Sequence, residues 1–243
     1  MIYITGDIHG SRRRVETYIE SLLKPDDSLL VTGDFGIGFF RDENWSEESE
    51  DGFFDYLEKQ NCTFIFCDGN HEDFNKLNNY TVSNWNGGRV HKIRKNVIHL
   101  MRGEVYDIDG KKAFVMGGGY SLDKGRRTCG YTWWPEEMPN NKEYENASKN
   151  LKANNYKVDY ILTHTAPRKT IVYMSTLGEN IKPMVREELP LNEFLQWVEE
   201  TTEYDKWYLG HFHLDREMRG NQYVLFNEIR ELHSGRLVSR NEV

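Results

Sequence analysis

The sequence predicts an α/β fold, a single domain over residues 1–243 in which two stacked β-sheets carry helices on their outer faces. Three observations lead there. Short β-rich runs recur along the chain, each ending at a polar or glycine-containing turn. Amphipathic segments separate the first three of these runs. No internal repeat, low-complexity tract or Pro/Ser-rich linker divides the chain. A chain of 243 residues buries roughly three quarters of its unfolded surface, so no disulfide or structural zinc is needed to hold it.

The runs at residues 2–5, 28–32, 63–67, 97–101, 113–116, 160–163 and 206–209 have the length and composition of buried strands. Between the first two, Val15, Tyr18, Ile19, Leu22 and Leu23 fall at i, i+3, i+4, i+7 and i+8, predicting a helix that starts after Ser11 and stops before Pro25. Phe53, Phe54 and Leu57 repeat that pattern before the third run. The opening is therefore β-α-β-α-β, which implies parallel pairing with right-handed crossovers. After Met101 the strands come closer together, and Asp109-Gly110 reads as a hairpin turn, so the sheet is expected to be antiparallel there. Residues 131–139 (YTWWPEEMP) interrupt the strand pattern, and a polar helix is expected over 142–154. An excursion over residues 119–140 is expected to serve as a lid or a substrate contact. Asn86-Gly87-Gly88 reads as a turn.

Thirty-one Lys plus Arg against thirty-nine Asp plus Glu give a net charge of −8, which argues against a surface built to hold nucleic acid or anionic lipid. No apolar run approaches the ~20 residues of a membrane span, and Met1 leads into Ile2-Tyr3-Ile4 without a leader pattern. Cys62 and Cys67, five apart, should point to opposite faces of one strand, while Cys129 is isolated. Buried reduced thiols are expected, and with them a cytoplasmic location.

Polar, metal-capable residues collect where the strands end. Asp7 and His9 follow the first strand in GDIHG, Asp34 the second in TGDFG, and Asn70 and His71 the third in DGNHE. His164 follows the strand ending at Thr163, and His211 and His213 follow Leu209 in LGHFH. In parallel α/β sheets the carboxyl ends of strands share one edge, so groups far apart in sequence can converge there. One histidine at a strand end is ordinary, but five of the eight histidines lie in these motifs. The glycines before Asp7, Asp34, Asn70 and His211 suit tight turns that aim a side chain. Asp, Asn and His donors without Cys are too many for one tetrahedral ion, and two ions are the natural count. Two divalent ions about 3.5–4 Å apart suit in-line phosphoryl displacement.

The ordered set GD-x-H-G, GD, GNHE, TH and GH-x-H, spanning Gly6 to His213, resembles the calcineurin-like metallophosphoesterase superfamily. GDIHG and GNHE look most like its phosphoprotein-phosphatase and dinucleoside-tetraphosphatase branch, while GGGYSLDKGRRT, residues 117–128, is similar to a segment of its small bacterial and phage members. The resemblance implies a four-layer α/β/β/α sandwich of two mixed β-sheets flanked by helices. It implies two divalent metal ions, manganese first, with iron, zinc, nickel or cobalt also compatible with such ligands. Asp7, His9 and His213 would bind the first ion and Asn70, His164 and His211 the second, with Asp34 bridging. His71 matches the family histidine beside the leaving oxygen and would act as general acid; Glu72 or Asp73 could favour its charged form by proximity, although neighbours in sequence often point apart. A hydroxide held between the ions would attack phosphorus directly, hydrolysing a phosphomonoester or a small phosphodiester.

The pattern departs from the phosphoprotein-phosphatase branch in one respect. That branch carries arginines in GD-x-x-DRG and RGNHE, where this chain has GDFGIG and DGNHE. Phosphate-gripping guanidinium groups must then come from elsewhere, and Arg12, Arg126 and Arg127 are the candidates. Trp133 and Trp134, in the same segment as the last two, would either pack or stack an organic group. His91, His99 and His233 are expected to make structural hydrogen bonds. The expected partner is a small phosphorylated substrate, with no membrane contact. A nuclease, which the charge disfavours, and a non-catalytic protein-binding scaffold are the alternatives.

Overall fold

Alternating side-chain direction along short strands sets the layers in the computed structural model, which describes residues 1–38, 50–179, 181 and 184–240. In β1 (Ile2–Thr5), β2 (Ser28–Thr32) and β3 (Thr63–Cys67), Tyr3, Leu29, Val31, Phe64 and Phe66 point to one face, and Ile4, Leu30, Ile65 and Cys67 to the other. The first set packs on α1 (Arg12–Ser21) and α2 (Glu50–Glu58) through Val15, Tyr18, Phe53, Phe54 and Leu57. Cys62 joins this outer core and Cys67 the inner one, so the two thiols do lie on opposite faces.

The chain continues through α3 (Phe74–Leu77), β4 (Val82–Trp85), β5 (Gly88–Arg94), β6 (Val97–Leu100), β7 (Val105–Ile108) and β8 (Lys111–Met116). Then come α4 (Asn141–Ala153), β9 (Tyr160–Thr163), α5 (Arg168–Thr176), α6 (Leu189–Thr201) and β10 (Lys206–Leu209). Short strands β11 (Arg216–Met218), β12 (Gln222–Val224), β13 (Glu228–Glu231) and β14 (Leu237–Arg240) close the described chain. Eight strands form one sheet in the order β14-β13-β1-β2-β3-β6-β5-β4, and six form the other in the order β11-β12-β10-β9-β8-β7. The inner residues of the first sheet meet Ala113, Val115, Leu162 and Tyr208 of the second. On the second sheet's outer face, Phe114, Met116, Ile161, Trp207 and Leu209 are covered by α4, α5 and α6. The layers are α/β/β/α.

Strands β1, β2, β3 and β6 are parallel, as the opening pattern requires. The second sheet corrects one expectation. The β7–β8 hairpin, turning at Asp109-Gly110 with both residues at positive φ, is antiparallel as read from the sequence, and at the other edge β11 pairs antiparallel with β12. β8, β9, β10 and β12 run parallel; from β8 to β9 and from β9 to β10 the connections carrying α4, α5 and α6 are long enough to return the chain to the same end of the sheet. Asn86-Gly87 is the turn of a further hairpin, β4–β5. Residues 119–140 carry two 3₁₀ turns, Lys124–Arg126 and Pro135–Glu137. The polar helix after them begins at a capping box in which Asn140 and Glu143 each bond the other's backbone amide. Trp134 is buried in the outer core of the first sheet, while Trp133 lies half-buried with the Lys124 ammonium 5.2 Å from its ring. Among the described residues no helix is long and apolar enough to cross a membrane.

Candidate metal centre

Asp7, Asp34 and Asn70 follow β1, β2 and β3 of one sheet, and His164 and His211 follow β9 and β10 of the other. Backbone bonds join these strand ends. The His9 amide donates to the Asp34 carbonyl at 2.7 Å, and the Gly210 amide to the His164 carbonyl at 3.0 Å. His9, Asp34, His211 and His213 all sit at left-handed φ, between 49° and 69°. Each such residue costs about 1–3 kcal/mol, which surrounding contacts must hold in place. Two neighbouring glycines are required by close approach rather than by turn geometry. A Cβ on Gly69 would fall 2.0 Å from Asp34 Oδ1, and one on Gly210 2.3 Å from Asp7 Oδ1.

The eight predicted donor and acid residues meet in one place. Asp7, His9 and His213 bring one donor atom each within 4.8 Å of one another, as do His9, Asp34 and His71, and Asp7, Asp34 and His164. Asp34 is shared. Its Oδ2 lies 3.3 Å from His9 Nε2 on one side and 3.4 Å from His164 Nε2 on the other, while its Oδ1 accepts the His71 amide at 2.8 Å. Asn70 Oδ1 stands 3.1 Å from His164 Nε2 and 2.9 Å from His211 Nδ1, and those two ring nitrogens are 3.2 Å apart. His213 Nε2 faces Asp7 Oδ2 at 3.2 Å, with its ring stacked on Phe226.

These atoms fit a cationic occupant. The His164 Nδ1 donates to the Thr32 carbonyl at 2.8 Å, which directs Nε2 into the cluster, where loss of its proton would offer a lone pair to a cation. Asp7 Oδ2 and Asp34 Oδ2 are fully enclosed without a well-formed hydrogen bond, a costly state for a carboxylate unless a cation sits there. Burial opposes a charge on His164, yet Asp34 and Asp7 beside it push its pKa up to about 9. Burial likewise opposes ionisation of Asp34, but His164 and His71 hold it well below the usual carboxylate range. The cavity attracts positive charge, and its oxygen and imidazole donors are those of a divalent metal site.

Residues outside the motifs support this arrangement. Arg14 is buried and donates to the carbonyls of Asp7 and Phe226, clamping the chain on either side of the His213 ring. Arg14 is not among the site residues singled out from the sequence, although it lies one helical turn before the buried Tyr18 and hydrogen-bonds to it. Arg14→Ala leaves two carbonyls short of a donor and should lower stability by about 2–4 kcal/mol. A urea titration checks this, and an unchanged midpoint contradicts it. Glu188 Oε1 lies 3.5 Å from His211 Nε2 and accepts the Tyr120 amide at 3.2 Å. The expected pairing of Glu72 with His71 gives way to another role. Both Glu72 oxygens accept amides of residues 35, 36 and 37, shaping the loop after Asp34, and burial and the Asp34 charge push its pKa up to about 8. Asp73 caps α3 through the Lys76 amide.

The predicted substrate arginines differ among themselves. Arg12 pairs with Glu16 one turn along α1 and covers the Tyr56 ring. Arg127 pairs with Asp123 and donates to the Thr132 carbonyl, fastening its own loop. Arg126 is exposed on the 3₁₀ turn and forms no ion pair among the described residues. The remaining histidines are structural. His99 lies between Asp68 and His91, and His233 bonds the Tyr160 hydroxyl.

A family model described as calcineurin-like phosphoesterase matches residues 1–215. No curated protein matches the chain. The match runs from the first strand past His213, the last of the converging donors, and the two mixed sheets with outer helices agree with it. The chain therefore belongs to the calcineurin-like phosphoesterase family, whose members are hydrolases of phosphate esters that depend on divalent metals.

Proposed function

We propose that this protein hydrolyses small phosphate esters with two divalent ions held side by side. The carrying observation is that the Asp34 carboxylate belongs to two donor sets at once, one with His9 and one with Asp7 and His164. Asp7, His9 and His213 would hold one ion, Asn70, His164 and His211 the other, and Asp34 both. When bound, such ions supply Lewis acidity toward a phosphoryl oxygen and a nucleophile drawn from water. The chain's own contribution is to hold seven donors on strand ends and to present His71 beside them.

His71 is half-buried, its amide fixed on Asp34 Oδ1 and its ring 5.8 Å from that of His9. A protonated imidazole there would donate to the departing oxygen. Arg126, whose charge no carboxylate among the described residues neutralises, is assigned to the substrate's phosphate oxygens. Arg126→Ala should raise KM about tenfold with little change in kcat, the pattern of lost uniform binding; unchanged kinetics return it to the surface.

The reading is tested by loading the protein with manganese and comparing a nitrophenyl monoester, a bis-nitrophenyl diester, cyclic nucleotides and single-stranded nucleic acid. Metal-dependent turnover highest on one of the small esters supports it. No turnover of any small ester, or faster cleavage of nucleic acid, overturns it.

A further inference from the structure

Asn70 differs from the other donors in having a side chain with two unlike ends. Its amide oxygen can face a cation, whereas its NH₂ group cannot, and the two ends differ by a half-turn about one bond. Something must therefore choose between them. Nδ2 of Asn70 donates to Ser121 Oγ at 2.9 Å, and Ser121 is 1% exposed. Ser121 is itself held by the carboxylate of Glu137, which is also 1% exposed and accepts the Ser121 amide at 3.2 Å. A hydroxyl has one proton. Here the oxygen accepts from Asn70 Nδ2, so its lone pairs face Asn70, and lone pairs take the NH₂ end and repel the amide oxygen.

Glu137 is in turn tied to the strand end that carries Asn70. The Gly119 amide donates to the Glu137 carbonyl at 3.1 Å and the Gly118 amide to the Asp68 carbonyl at 3.0 Å. Arg102, buried, grips Asp68 Oδ2 with two nitrogens and reaches the carbonyls of Glu136 and Glu137 at 2.9 and 3.2 Å. Both ends of the excursion over residues 119–140 are thus fastened to the Asp68-Gly69-Asn70 turn.

We propose that Ser121 and Glu137 are positioning residues that turn the Asn70 carbonyl oxygen toward the ion shared with His164 and His211. The excursion is then a brace for one half of the metal centre. This rests on the two-ion reading above. Outer partners of metal ligands are typically worth about 10–100-fold in metal affinity, and that is the scale expected here.

The test is titration of the chelator-stripped full chain with manganese, followed by calorimetry and by the electron paramagnetic signal of the free ion. The wild-type protein should take up two ions. Ser121→Ala should weaken one of them about 10–100-fold and leave the other unchanged. In an Asn70→Asp background, where both ends of the side chain are oxygens, the same Ser121→Ala change should have little further effect. Should Ser121→Ala fail to fold, Ser121→Cys, a poor acceptor of similar size, carries the same expectation. Equal affinities in wild type and Ser121→Ala, or equal weakening of both ions, overturn the positioning role. A wild-type protein that binds fewer than two ions overturns the two-ion reading and this inference with it.

Discussion

Asp34→Asn should lower turnover about 10³-fold, the scale of removing a principal source of transition-state stabilisation, and should strip both ions together. The change keeps the side chain's shape and its place at the end of β2, and an amide oxygen can still accept the His71 amide. What is lost is the negative charge that His9 Nε2 and His164 Nε2 approach from two sides at 3.3 and 3.4 Å. Among the described residues no other belongs to both the group with His9 and His71 and the group with Asp7 and His164. Metal content by plasma emission, measured beside kcat on the best small ester, checks the result. A variant that keeps two tightly bound ions and full turnover contradicts the shared-ligand assignment.

His71→Ala should leave the metal content intact and reduce turnover about 10²–10⁴-fold for esters with poor leaving groups. The loss should shrink for nitrophenyl esters, whose leaving oxygen needs no proton. The His71 amide is bonded to Asp34 Oδ1, and that tie to the donor cluster survives removal of the imidazole. Rates measured across alcohols of graded acidity test this. An equal loss for all leaving groups would show that the ring acts by charge or position and not by proton donation.

Much of this centre is legible in the sequence because its donors follow strands in a fixed manner. Asp7, Asp34, Asn70, His164 and His211 each come within three residues of a strand made of apolar residues, and the parallel arrangement of those strands brings them to one edge. The fold is legible for the same reason where apolar runs are continuous. It fails at β4, β5 and β11 to β14, short strands such as Arg216–Met218 and Glu228–Glu231 in which charged residues break the hydrophobic pattern. Their pairing comes from neighbouring strands that are distant in sequence, as with β1 and β13.

The supporting residues are harder to read. Ser121, Glu137 and Glu188 carry no pattern of their own, and Ser121 and Glu188 become meaningful only when a loop meets a strand end distant in the chain, 51 residues away for Ser121 and Asn70. Arg14 was open to a better reading, since its i, i+4 relation to Tyr18 puts it on the buried side of α1. Glu72 illustrates the opposite error. Adjacency in sequence to His71 suggested a partnership, but successive residues leave the backbone in different directions, and its carboxylate turns to the loop after Asp34 instead.

The most direct measurement is a crystal of the protein grown with manganese and illuminated near the manganese absorption edge. Two anomalous peaks are expected, one among Asp7, His9 and His213 and the other among Asn70, His164 and His211, with Asp34 touching both. A single peak, or manganese bound away from Asp34, would contradict a paired-ion centre.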